Sequence, residues 1–188
     1  HGLKRIAVLL NTDDAAPFVG KAVEAAILGS YTFDRYKKEK SDLQNLQFSI
    51  VGLKAHDQSN RQYVSRYTLV SEAVNEARDM INEPGSVATP EYLAQAARSI
   101  AKEADLDLKI WDEKKLQKEG YNGLLQVGRG SSQPPRLIRL GYRAKKAKAH
   151  LVFVGKGITF DTGGISIKPA DKMYEMKGDM SRGAAVLY

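Results

Sequence analysis

Residues 154–180 hold the side chains of this chain best suited to chemistry. The run Val154-Gly-Lys-Gly-Ile-Thr-Phe-Asp-Thr-Gly-Gly-Ile-Ser-Ile-Lys-Pro169 is followed closely by Met176-Lys-Gly-Asp-Met180. Lys156, Asp161, Lys168 and Asp179 therefore lie in a short, glycine-rich region beside the apolar run Leu151-Val-Phe-Val154. Charges placed among glycines and apolar segments are costly to bury without a partner. A divalent cation is the natural partner. Asp161 and Asp179 offer oxygen ligands, and a lysine beside a dication can coordinate through its neutral amine, because the ion lowers its pKa. A second lysine, if not a ligand, can polarise a substrate carbonyl and stabilise the developing oxyanion. The set looks like half of a metal-centred hydrolytic site.

Two other readings of the stretch fail on spacing. A phosphate-binding loop needs glycine where His150 stands and a serine or threonine where Gly157 stands. A dinucleotide fingerprint needs a correctly spaced triple glycine, which is missing. Isolated aspartates and lysines usually just face solvent; this constellation is harder to dismiss that way.

Composition narrows the choice of metal. There is no cysteine, which excludes thiolate zinc sites, a cysteine nucleophile and disulfides within these 188 residues. The three histidines, His1, His56 and His150, do not pair at ligand spacing. A metal would be held mainly by carboxylates, which favours manganese, magnesium or zinc. The net charge of +7 includes basic runs at Arg35–Lys40, Lys114-Lys115 and Arg143–Lys148. Contact with nucleic acid is one reading of these runs. Solvated loop and helix faces account for them better, since no zinc finger, RNA-recognition pattern or helix-turn-helix signature accompanies them.

A hydrophobic content of 43% and a charged content of 27% are ordinary for a soluble globular protein. No apolar run approaches the roughly 18 residues that span a bilayer, so no membrane partner is expected. His1-Gly-Leu-Lys-Arg5 lacks the layout of a signal peptide, and a cytoplasmic location is expected.

The elements that must position the four residues alternate between strand and helix. Leu3–Leu10 reads as a strand, Asn11–Asp14 as turn and helix-cap chemistry, and Phe18–Gly29 as a helix. Phe48–Leu53 reads as the next strand, and Tyr36–Asn45 as an exposed connection. Gln62–Ile81 has helical spacing and stops before Asn82-Glu-Pro-Gly85, where proline disfavours helix in the residue before it. Thr89-Pro-Glu-Tyr92 starts a helix with a cap residue and proline at the first position, and that helix runs to about Ala104. Leu106–Trp111, Arg136–Tyr142 and His150–Val154 read as strands, Glu113–Gly120 as a short helix, Gly123–Val127 as apolar and Gly128–Pro135 as a loop. Ile165–Lys168 alternates, placing Ser166 and Lys168 on the face opposite the isoleucines. Gly183-Ala-Ala-Val186 looks like a helix start just after Asp179, where a carboxylate sits well against the helix dipole. The alternation argues for an α/β fold. The expected organisation is a partial N-terminal α/β domain over 1–60, a linking helix over 61–82 and the first part of a larger α/β domain over 83–188.

The two terminal motifs resemble the metal-binding core of the leucine aminopeptidase (cytosol aminopeptidase) family. The resemblance extends upstream to Ala26-Ile-Leu-Gly-Ser-Tyr-Thr-Phe-Asp-Arg-Tyr36, Ile81-Asn-Glu-Pro84, Thr89-Pro-Glu-Tyr-Leu93, Gly128-Arg-Gly-Ser131 and Pro134-Pro-Arg-Leu137, in the family's order. It implies a two-metal exopeptidase, using manganese or zinc, with magnesium also possible, that removes N-terminal residues such as leucine from peptides. Lys156, Asp161 and Asp179 would be metal ligands, with Asp161 bridging, and Lys168 would be the catalytic lysine on the scissile carbonyl oxygen. Metal-activated water would be the nucleophile. The family's fold is a small α/β domain, a linking helix and a catalytic α/β domain with a mixed sheet flanked by helices; its members form hexamers. The family's later Asn-Thr-Asp-Ala-Glu-Gly-Arg segment has no counterpart here, and Ser181-Arg182 stands where a glycine pair is usual. An internal segment of a longer enzyme is therefore expected, with little activity by itself. The alternatives are a DNA-binding regulatory role, found in some bacterial members, and a non-catalytic subunit. The latter fits poorly because all four site residues are intact.

Overall fold

The computed structural model describes residues 4–10, 16–52 and 58–188. Leu3, Leu53, the Asn11–Asp14 cap, His1 and His56 lie outside the described residues. The chain forms two compact units, His1–Arg78 and Asp79–Tyr188, and is α/β in construction.

In the first unit, β1 (Arg5–Leu9) and β2 (Gln47–Val51) pair in parallel, Arg5 opposite Gln47 and Leu9 opposite Val51. Parallel neighbours need a crossover, and α1 (Ala16–Gly29) lies within it. α2 (Gln58–Asn82) begins four residues before the expected Gln62, and the division between the units falls inside it. Gly20 lets α1 approach α2 closely, because a Cβ there would lie 2.3 Å from the Tyr67 ring. The last carbonyls of α1, which have no partner within the helix, are met from α2. Asn75 donates to the Ile27 carbonyl and Arg78 to that of Leu28, each at 3.2 Å. The Tyr36–Asn45 connection is mostly exposed, with one short 3-10 turn at Asp42–Asn45.

The second unit starts at the end of α2. Thr89 caps α3 (Pro90–Glu103) as its sequence predicts, accepting from the Tyr92 N–H at 3.3 Å. α3 buries Leu93, Ala94, Ala97 and Ala101. It packs on an antiparallel pair, β3 (Asp107–Trp111) and β4 (Leu137–Gly141), with Asp107 opposite Gly141 and Trp111 opposite Leu137. α4 (Glu113–Lys118) and α5 (Asn122–Gly128) connect these strands; the apolar Gly123–Val127 stretch is thus helical. A 3-10 helix, Met173–Met180, runs directly into α6 (Ser181–Leu187), and Met180 and Ala184 are fully buried at that junction.

Two strand expectations are corrected. His150–Val154 forms no strand, and Leu151, Val152, Phe153 and Val154 are 76–89% exposed. A strand must share its N–H and C=O groups with a neighbour, and among the described residues no segment pairs with this one. Ile165–Lys168 is not a strand either. A turn at 164–165 brings the Lys168 N–H back to the Thr162 carbonyl at 2.9 Å, leaving Ile165 and Ile167 exposed. The turn depends on Gly163 and Gly164, at φ +91° and +72°. Among the described residues no helix is long and apolar enough to cross a membrane.

Candidate metal centre

The turn just described sets the first half of the centre. By folding 168 back on 162, it carries the Lys168 ammonium to Asp161 Oδ2 at 3.0 Å. The Gly163 N–H donates to the other oxygen, Asp161 Oδ1, at 2.8 Å. These contacts hold the Asp161 carboxyl below the usual carboxylate range: the hydrogen bond from Lys168 acts most strongly, followed by that from Gly163. Lys168 also lies 3.6 Å from the Met176 sulfur and is about one-third exposed.

The second half joins segments 23 residues apart. Lys156 Nζ donates to Asp179 Oδ1 at 2.6 Å, with Asp179 largely covered and Lys156 partly open. Asp179 is the weakest of the influences that lower the Asp161 carboxyl. The buried Oδ2 of Asp179 has no hydrogen-bond partner. A buried carboxylate oxygen left unmet is costly, and it is the position a cation would fill.

The donor set suits a divalent ion only in part. Lys156 pairs with Asp179 and Lys168 with Asp161, but no three of His, Cys, Asp and Glu converge among the described residues. The lysine ammoniums stand where cationic charge is needed, each neutralising one aspartate.

The end of α2 and Gly85, read from sequence only as a helix end and a family motif, hold both metal-motif segments. Phe160, next to Asp161, packs so tightly on Gly85 that a Cβ there would lie 2.7 Å from the Phe160 Cβ. Lys177, two residues before Asp179, donates to the Asn82 carbonyl at the end of α2 at 2.7 Å. Asn82, which ends α2, and Gly85, which opens the next turn, thus seat the two metal-motif segments. Ser166 and Arg182 are exposed, and neither contributes to the cluster.

A family model described as the cytosol aminopeptidase family, catalytic domain, matches residues 75–188. A probable cytosol aminopeptidase of Streptomyces avermitilis is 45% identical over 98% of this chain and 37% of its own length. One from Persephonella marina is 42% identical over 88% of this chain and 33% of its own length. Among solved structures, the bottromycin maturation enzyme BotP in complex with Mn superposes with a TM-score of 0.82 at 33% identity, over 98% of this chain and 39% of that one. The cytosol aminopeptidase of Coxiella burnetii gives 0.81 at 35% identity, over 99% and 38%. The chain spans well under half the length of the relatives it matches. Its motifs, its fold and these likenesses agree: the chain belongs to the cytosol aminopeptidase family.

Proposed function

We propose that this protein takes part in the metal-dependent release of N-terminal amino acids, leucine among them, from peptides. The observation that carries the reading is the cluster of Lys156, Asp161, Lys168 and Asp179, with a buried, unmet oxygen on Asp179. Asp161, Asp179 and the Lys156 amine would hold divalent ions, manganese or zinc in the first instance and two in number. When bound, such ions supply Lewis-acid activation of water and of the scissile carbonyl.

The chain's own residues would then divide the remaining work. Lys156 can act as a ligand only after its ammonium proton leaves, since the ion needs the nitrogen lone pair. Lys168 would keep its proton and offer its ammonium to the carbonyl oxygen of the substrate. There it would balance the negative charge that develops as the tetrahedral centre forms. Its partial exposure leaves room for that approach. With two carboxylates and one amine as donors, this chain by itself should bind ions weakly and turn over slowly. The linking role of α2, a cytoplasmic location and assembly into a homohexamer belong to the same reading.

The test is manganese and zinc titration with hydrolysis of a leucine chromogenic substrate as readout, using Lys168→Ala and Asp179→Asn. Metal-stimulated hydrolysis abolished by either substitution supports the reading. Hydrolysis indifferent to metal and to both substitutions overturns it.

A further inference from the structure

A second contact lies beneath the Lys156–Asp179 pair, and it is made entirely by main chain. The 155–157 segment crosses the first turn of α6 with glycine on both sides. A Cβ on Gly155 would lie 2.5 Å from the Arg182 carbonyl oxygen, 2.8 Å from the Gly183 Cα and 2.9 Å from the Arg182 carbonyl carbon. A Cβ on Gly183 would lie 2.9 Å from the Lys156 carbonyl oxygen and 3.0 Å from the Gly157 Cα. The two strands of backbone are tied by a hydrogen bond from the Gly183 N–H to the Lys156 carbonyl at 2.8 Å. None of these neighbours is a side chain that could rotate away. Gly157, one residue beyond Lys156, has open space where its Cβ would be.

The crossing joins the residue that carries one donor to the helix that directly follows the other. Asp179 closes the 3-10 turn that becomes α6, and the buried Met180 and Ala184 anchor that junction. Moving the 155–157 backbone off α6 therefore shifts the base of the Lys156 side chain relative to Asp179. We propose that Gly155 and Gly183 are positioning residues that set this spacing through their backbone contact. The proposal rests on the reading of Lys156 and Asp179 as metal ligands. A methyl group at Gly155 must push the segments apart by on the order of 1 Å and one at Gly183 by roughly a few tenths of an ångström, whereas metal donors tolerate only about 0.2 Å.

The glycines do not owe their identity to backbone conformation, because neither Gly155 nor Gly183 lies in the left-handed region. Gly183 lies inside α6, where alanine is the better helix former. A merely structural role would let Gly183→Ala raise thermal stability without touching the site. The positioning role predicts weaker metal binding whatever the stability does.

The experiment compares Gly155→Ala, Gly183→Ala, Gly157→Ala and Asp179→Asn in the intact protein. The probe is Mn²⁺ alone, titrated by calorimetry; in parallel, metal-free protein is followed by amide exchange at Gly183 and by acylation of the Lys156 amine. Gly155→Ala and Gly183→Ala should each weaken Mn²⁺ binding about tenfold or more, while Gly157→Ala stays within about twofold. Without metal, Gly155→Ala should expose the Gly183 amide and speed acylation of Lys156. If Gly155→Ala does not fold, Gly183→Ala carries the comparison. Wild-type Mn²⁺ affinity in both variants, with binding lost in Asp179→Asn, overturns the positioning role and leaves the metal reading standing. An Asp179→Asn protein that binds Mn²⁺ like the wild type overturns the metal reading, and unchanged acylation and exchange in Gly155→Ala then overturn the crossing as well.

Discussion

At the scale of single residues, each aspartate of the cluster is paired with a lysine, and the two lysines compete differently with a metal ion. Lys168 donates to Asp161 and is the main cause of its lowered pKa. An ion on Asp161 Oδ2 competes with that ammonium. Lys168→Ala should therefore leave Mn²⁺ affinity unchanged or tighter while lowering turnover by about 10²–10³-fold, the usual cost of removing one oxyanion donor. Calorimetry and steady-state kinetics on the same preparation check this split, and parallel losses of both would contradict the assigned role. Asp161→Asn should do the reverse in the first step, removing metal binding and activity together. The four residues could be picked out from type and spacing, as charges that burial would penalise. Their pairing could not, because Lys156 meets a partner 23 positions away across a backbone contact no local pattern encodes. Lys177 escaped notice for the same reason: its partner is the Asn82 carbonyl, 95 positions distant.

The elements differ in how far they depend on one another. α3 carries its own start signal, and Thr89→Ala should destabilise the protein by about 1 kcal/mol through loss of the cap, measured by denaturant unfolding. Its first turn also holds Glu91, which accepts from Arg98 at 2.8 Å and from Arg136, just before β4, at 3.0 Å. These bonds, that from Arg98 foremost, hold the Glu91 carboxyl below its ordinary value. A lowered carboxyl stabilises the fold above the unfolded glutamate pKa of about 4.3, and that contribution disappears as pH falls through the folded value. Unfolding curves from pH 6 down to pH 3 should thus lose stability less steeply in Arg98→Ala than in the wild type. The difference should stay below about 1 kcal/mol because the pair is solvent-exposed. In the first unit, Gly20→Ala should lower stability by expelling the Tyr67 ring from α1, whereas Gly29→Ala, with open space at its Cβ, should not.

For the whole molecule, metal and folding should be linked. An ion that binds the folded cluster and not the unfolded chain stabilises by mass action, about 2.7 kcal/mol at a hundredfold excess over its dissociation constant. Thermal unfolding should therefore shift upward with Mn²⁺, return with a chelator, and show no shift in Asp161→Asn or Asp179→Asn. The sequence by itself located α1, α2, α3 and α4 and the alternation of helix and strand, and it singled out the four charged residues, but it left α5 as an apolar run. Helices satisfy their hydrogen bonds within a few residues, so Thr89-Pro90 and the spacing of α1 and α2 sufficed to locate them. Strands and sites need distant segments. Only the tertiary structure decided that Leu151–Val154 stays unpaired, that Ile165–Lys168 turns back instead of extending, and that Gly155 lies against Gly183. The alternating residues of a would-be strand carry no record of whether a neighbour will supply its ladder, and a glycine pair carries none of which backbone will cross it. Those outcomes depend on contacts between residues far apart in the chain, and they set the distances between the lysines and aspartates of the centre.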